Sequence, residues 1–148
     1  MVPTSKHVQE VYTGKDGVLS ALQMLDDKSR AETLCLDQST IEQGISKAVA
    51  LKMREVGADM MDAPVSGGEI SLCFDRMRCA DIPGVVGAKD GTLAIMVGGD
   101  PESYEKAVPI LSPMARKVTH CGDLGTGLAA KISNKYVSGF IVLSDHEH

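Results

Sequence analysis

The sequence predicts an α/β fold built on a mostly parallel sheet, followed by one further helix. Three observations predict it. Short apolar segments alternate with stretches of helical periodicity, capping and turn residues fall at the junctions between them, and 148 residues, 43% hydrophobic and 24% charged, fit one ordinary core. The same totals narrow the function. A net charge of -5, no Lys/Arg cluster, 3% aromatic residues and no Trp argue against a nucleic-acid partner. Cys35, Cys73, Cys79 and Cys121 form no CxxC pair, and the four histidines do not sit at ligand spacing near them. Reduced thiols in an intracellular protein, and no metal site, are the expectation. No apolar run approaches the ~20 residues that span a bilayer, so no membrane partner is expected.

In chain order, Met1-Val2-Pro3 reads as a strand end entering a loop, and Ser5 to Thr13 as a helix with Val8, Val11 and Tyr12 inward, stopped by Gly14. Gly17 to Leu25 reads as a short helix, Asp26 to Arg30 as a loop, and Thr33 to Asp37 as a strand. Gln38 to Gln43 then holds two overlapping capping boxes, Ser39 with Glu42 and Thr40 with Gln43. The helix they open keeps Ile41, Ile45, Val49, Met53 and Val56 on one face, and Gly57 ends it. Ala58 to Val65 is the next apolar segment and delivers Ser66-Gly67-Gly68. After the turn at Asp90-Gly91, Thr92 to Val97 is a strand. Asp100 caps a helix with Pro101 at its first position, Pro109 and Pro113 break up the stretch beyond it, and Lys117 to Cys121 is the last strand. Leu128 to about Val142 is helical, with Ala129, Ile132, Tyr136, Phe140 and Leu143 on one stripe and Lys131, Asn134, Lys135 and Ser138 on another.

Two stretches carry chemistry. Asp62-Ala63-Pro64-Val65-Ser66-Gly67-Gly68 ends an apolar segment in a hydroxyl and two peptide units without side chains, whose N–H groups can approach an anion closely. Gly125-Thr126-Gly127-Leu128-Ala129-Ala130-Lys131-Ile132-Ser133-Asn134 puts an amine and an amide on one helix face. Read without a relative, the first is equally a plain turn and the second a solvated face.

In this order the pair resembles the β-hydroxyacid dehydrogenases, and the wording is most like their 3-hydroxyisobutyrate branch. The resemblance runs from Met1 to about Asn134, apart from Glu69 to Gly84. It implies NAD or NADP as cofactor, a small hydroxy acid as substrate and hydride transfer to the nicotinamide. By the same resemblance Val2, Pro3, His7 and Thr40 touch the cofactor, Ser66, Gly67 and Gly68 hold the substrate carboxylate, and Lys131 accepts or returns the hydroxyl proton while Asn134 orients substrate and lysine. Such an amine must be lowered from its usual pKa of ~10.4, by burial or by a neighbouring cation such as Lys135. Pro3 also reads as a strand-to-helix turn, His7 as an exposed helix histidine where the family has Asn, and Thr40 as an N-cap worth ~1 kcal/mol. Lys135 stands where a second Asn is expected.

The resemblance also implies an organisation. Residues 1–124 are a partial Rossmann-like, doubly wound NAD(P)-binding domain interrupted by an insertion at 69–84, and residues 125–148 are the first helix of a truncated helical domain. Family members begin earlier, with a glycine-rich βαβ unit, and end later. Homo-oligomers are therefore expected only of a full-length parent; no targeting peptide is read in this chain, and a mitochondrial address, for a eukaryotic source, is expected only upstream of Met1. The insertion reads as a retained intron, a splice variant or a gene-model error, with a surface loop as its bland account, and Ile141 to His148 reads as an out-of-frame or alternative ending. Two rival readings remain. One is a catalytically inactive fragment with weak or no NADP binding. The other takes Gly125 to Ala130 as a GxGxxA dinucleotide fingerprint, with Asp145 about twenty residues on, and reads as a coincidence of letters because Asp123 and Leu124 intervene after Gly122 and the helix is short.

Overall fold

The computed structural model describes residues 1–67 and 84–144. The elements, in order, are α1 (Ser5–Thr13), α2 (Val18–Gln23), α3 (Asp27–Ala31), β1 (Leu34–Asp37), α4 (Gln43–Glu55), β2 (Asp59–Asp62), β3 (Val65–Ser66), α5 (Gly84–Lys89), β4 (Leu93–Val97), α6 (Pro101–Leu111), β5 (Ala115–His120) and α7 (Thr126–Ser144). A single 3-10 turn, Ser112–Met114, links α6 to β5. Most of the expected insertion, Glu69 to Pro83, lies outside the described residues, as do Gly68 and the last four residues.

The sheet alternates with helices as an α/β fold requires. β1 pairs with β2 and β4 with β5, both parallel, while β3 runs antiparallel to β4. The apolar segment from Ala58 to Ser66 therefore changes partner midway. Up to Asp62 it lies beside β1, and Ala63 N–H still donates to Asp37 O at 2.8 Å. From Asp62 onward it follows β4 in the opposite sense, through a bridge from Asp62 to Gly98 and a bond from Met96 N–H to Pro64 O. The switch falls at Pro64, which has no N–H to leave unpaired.

Alternation along β2 divides the core in two. Met60 joins Val8, Leu22, Ile41, Val49, Ala50, Met53 and Leu128 on the face covered by α1, α2 and α4. Met61 joins Ala63, Leu93, Ile95, Val97, Ala107 and Leu111 on the face covered by α6. A strand buried on both sides has no polar face, which is why Ala58 to Val65 reads as a nearly continuous apolar run.

Several local expectations are corrected. Residues 27–31 form α3 rather than a loop, because the Asp26 carboxylate caps it by accepting from Ser29 N–H at 2.9 Å. Val11 on α1 is exposed, and Val8 and Tyr12 hold the inner face. Neither capping box forms: α4 starts at Gln43, its N-cap Glu42 makes no side-chain bond, and Ser39 and Thr40 are engaged in tertiary bonds instead. Pro109 does not stop α6. It lies in the last turn, where one missing N–H removes a single bond, and the helix continues to Leu111. On α7 the solvated-face account of the polar stripe fails, with Ala129, Ile132 and Tyr136 exposed and Lys131 and Asn134 half-buried. The helix meets the sheet through its first turn, at Gly127 and Leu128, so its outer apolar stripe lies off that contact.

Candidate active site

The loops that leave β1 and precede α1 are tied together at the carboxyl end of β1. Ser39 is buried; its backbone N–H donates to the Asp37 carboxylate at 2.9 Å, and its hydroxyl accepts from Val2 N–H at 2.8 Å. Glu42 N–H donates to the Ser5 hydroxyl at 3.3 Å. Val2, Pro3 and Thr40 are thereby held on one rim, with Pro3 and Thr40 exposed. His7 is exposed on α1 and its Nδ1 lies 2.7 Å from the Thr4 hydroxyl, which also caps the helix.

Onto this rim α7 delivers its amine: Lys131 Nζ donates to the Thr40 hydroxyl at 2.5 Å. Asn134, one turn further along, shares that face and is half-buried. The start of α7 is fixed from two sides. Gln43 Nε2 donates to Gly125 O at 2.9 Å. The Asp62 carboxylate accepts from Gly125 N–H on Oδ1 at 2.5 Å and from Leu128 N–H on Oδ2 at 2.8 Å. Asp62 is 1% exposed; burial pushes its pKa up, and the two amide bonds pull against that shift. Side-chain-free neighbours make the approach possible. A Cβ on Gly127 would lie 2.3 Å from Met96 O, and one on Gly98 would lie 2.5 Å from Asp62 Oδ1.

This arrangement removes the fingerprint reading of Gly125 to Ala130. The N–H groups that such a turn would offer a pyrophosphate are directed at Asp62, a carboxylate that would repel one. Asp62 is the contributor that sequence reasoning left without a role, and Gln43, read there as a capping partner of Thr40, bonds Gly125 instead. The one available signal was an acid at the end of a strand otherwise buried on both faces.

Ser66 and Gly67 are carried by a different element. Ser66 pairs with Ala94 on β4, past the Ala63-Pro64 bend, and Gly67 follows with its carbonyl oxygen packed so closely on Gly87 that a Cβ there would lie at 2.9 Å. Gly68 lies outside the described residues. The network at β1 thus unites Val2, Thr40 and Lys131, while Ser66 and Gly67, expected to hold a carboxylate, stand beyond the bend. An open groove lined by Lys47, Leu51, Arg54, Gly99, Asp100, Asp123 and Leu124 contains none of the expected site residues. Among the described residues no group of three or more His, Cys, Asp or Glu is placed to hold a metal ion. No helix among them is long and apolar enough to cross a membrane.

Parallel strands with helices on both faces, and candidate site residues gathered where a strand hands over to a helix, define a doubly wound α/β domain of the nucleotide-binding kind. The chain belongs to the family described as the NAD binding domain of 6-phosphogluconate dehydrogenase, whose model matches residues 1–72 and 80–122. It is 35% identical over 147 residues to the probable mitochondrial 3-hydroxyisobutyrate dehydrogenase of Dictyostelium discoideum, a match covering 99% of this chain and 39% of that protein. Among solved structures it is similar to the 3-hydroxyisobutyrate dehydrogenase of Mycobacterium tuberculosis with L-serine, at a TM-score of 0.71 and 37% identity, over 93% of this chain and 38% of that one. It is also similar to Psf3 in complex with NADP+ and 2-OPP, at a TM-score of 0.66 and 30% identity, over 88% and 38% of the two chains. The chain thus spans about two fifths of the length of such relatives.

Proposed function

We propose that this chain carries the proton-transfer half of an NAD(P)-dependent oxidoreductase acting on short β-hydroxy acids of the 3-hydroxyisobutyrate type. The observation that carries the reading is the Lys131 amine resting on the Thr40 hydroxyl at the carboxyl end of β1. That is where an open α/β sheet takes its ligand. Pro3 and Thr40 are exposed beside the amine, and Val2 is tied to the same loop, so the rim fits the edge of a dinucleotide. When bound, the nicotinamide supplies the hydride acceptor. The chain's own residues then do the rest: Lys131 accepts the proton of the substrate hydroxyl at Nζ and returns it in reduction, Asn134 orients the substrate on the same helix face, and Ser66 with Gly67 and Gly68 holds the carboxylate. The forward step needs the amine neutral: one N–H of Nζ stays on the Thr40 hydroxyl while its lone pair accepts the proton of the substrate hydroxyl. A mitochondrial setting follows this reading for a eukaryotic source.

Replacing Lys131 with Ala is expected to abolish turnover of 3-hydroxyisobutyrate and of L-serine while leaving nucleotide binding intact. Retained turnover would overturn the reading. A second reading, a member of the family with weak or no NADP binding, is favoured by one observation: the one fingerprint-like turn directs its amides at Asp62. Calorimetry separates the two, because micromolar binding of NAD or NADP to this chain would remove the second.

A further inference from the structure

We infer that Asp62 is the positioning residue for Lys131, its buried carboxylate setting the rotation and axial height of α7 so that Nζ meets the Thr40 hydroxyl. The inference rests on the reading of Lys131 as the proton carrier. Asp62 holds α7 at two points that differ in both height and direction. Gly125 N–H, ahead of the helix, bonds one oxygen, and Leu128 N–H, in its first turn, bonds the other. One bond would leave the helix free to turn about it; two from a single planar group do not. Gln43 holds the same segment through Gly125 O, and Gln43 itself opens the helix that follows the Thr40 loop. Lys131 stands three residues beyond Leu128, less than one turn from the anchor.

The leverage is large. A side-chain tip at the ~5–6 Å radius of a helix moves roughly 2 Å when the helix turns by about 20°. A bond of 2.5 Å between Lys131 and Thr40 does not survive such a displacement. The geometry also selects the residue type. Two converging N–H donors need two acceptor oxygens, and the amide of Asn would turn an NH2 toward one of them. The close approach that lets one carboxylate reach both donors depends on Gly98 and Gly127, where a Cβ would lie 2.5 Å from Asp62 Oδ1 and 2.8 Å from Asp62 Oδ2. Nothing in this set touches the substrate in the proposed mechanism, so Asp62 acts through α7 alone.

The test is NMR on the full, isotopically labelled chain, which needs neither substrate nor cofactor. In the wild type, the Gly125 and Leu128 amide protons are expected well downfield and slow to exchange, with a cross-peak between the Thr40 methyl and the Lys131 ε protons. In folded Asp62→Asn that cross-peak should fall by at least half, while cross-peaks within α4 and between β4 and β5 keep their intensity. A role in stability alone would lower the melting temperature and leave the Thr40–Lys131 cross-peak of the folded population unchanged, and that result would overturn the inference. If Asp62→Asn does not fold, the wild-type amides decide: slow exchange at both supports the anchor, and exchange at the rate of an unprotected amide at either one refutes it. Turnover retained by Lys131→Ala would instead sink the proton-carrier reading while leaving the anchoring result standing.

Discussion

Gly127→Ala tests how tightly α7 is seated. The added methyl carbon would lie 2.3 Å from Met96 O, 2.8 Å from Asp62 Oδ2 and 3.0 Å from Gly98 N. Two of these are backbone atoms at the end of β4, held by the β4–β5 ladder, so the helix has to withdraw by roughly 1 Å to reach ordinary contact distance. Overpacking of this kind costs ~1–3 kcal/mol. The withdrawal also stretches the Asp62–Leu128 bond, and a hydrogen bond to a charged group contributes ~1.5–3 kcal/mol. Better helix propensity returns about 1 kcal/mol. The net loss is about 2–5 kcal/mol, a large part of the ~5–15 kcal/mol that holds a domain together. For a chain of about 150 residues it lowers the melting temperature by roughly 4–20 °C. Gly57→Ala is the control: its φ is +85° and no atom lies within 4 Å, so it carries only left-handed strain of ~1–2 kcal/mol. Urea titration of both variants checks the argument. A Gly127→Ala loss equal to or smaller than the Gly57→Ala loss would show that α7 is not pinned where the structure puts it.

Two more outcomes concern buried polar groups. Because burial raises the folded-state pKa of Asp62 above its unfolded value, the folded chain binds the proton more readily, and stability contributed by this group increases as pH falls through the folded value toward the ordinary ~3.9 of Asp. The wild type should therefore gain stability relative to Asp62→Asn between neutral and mildly acidic pH in parallel denaturation curves, and a relative loss would mean that the amide bonds outweigh burial. Ser39→Ala leaves Val2 N–H without its acceptor beside a buried side chain and should cost ~1–3 kcal/mol. Hydrogen exchange at Val2 should accelerate with it, and a variant as stable as the wild type would show that Ser39 does not tie down the amino-terminal loop.

The features legible in the sequence were those that neighbours in the chain decide. Thr4 and Gly14 frame α1 at its predicted limits, and the stripe Ile41, Ile45, Val49, Met53 packs inward along α4 and the turn before it, as its periodicity requires. The departures occur where a distant partner competes with a local one. Ser39 and Thr40 have the spelling of N-caps, yet Val2 and Lys131 take their hydroxyls. Ile132 and Tyr136 share the spacing of one apolar stripe, yet both are exposed, and α7 meets the sheet by its first turn. Asp62 was the hardest to read, since both its donors lie more than sixty residues away and a carboxylate at a strand end is ordinarily solvated. Lys131 and Asn134, which lie together in one local word, share the half-buried face of α7.

The change of partner at Pro64 bears on how this chain reaches its native state. Residues 59–66 stitch a ladder formed early in the sequence, with β1, to one formed late, with β4, and the bonds that fix the site span 66 positions from Asp62 to Leu128, 82 from Gln43 to Gly125 and 91 from Thr40 to Lys131. Loops of that length close slowly, and their entropy is lost before any contact compensates for it. Helices α1 and α4 can form on local signals in a nascent chain, but the lysine has no hydroxyl to rest on until the seam has closed. Assembly of this network is in this sense a late folding event, shared by both halves of the chain and retained by neither half alone.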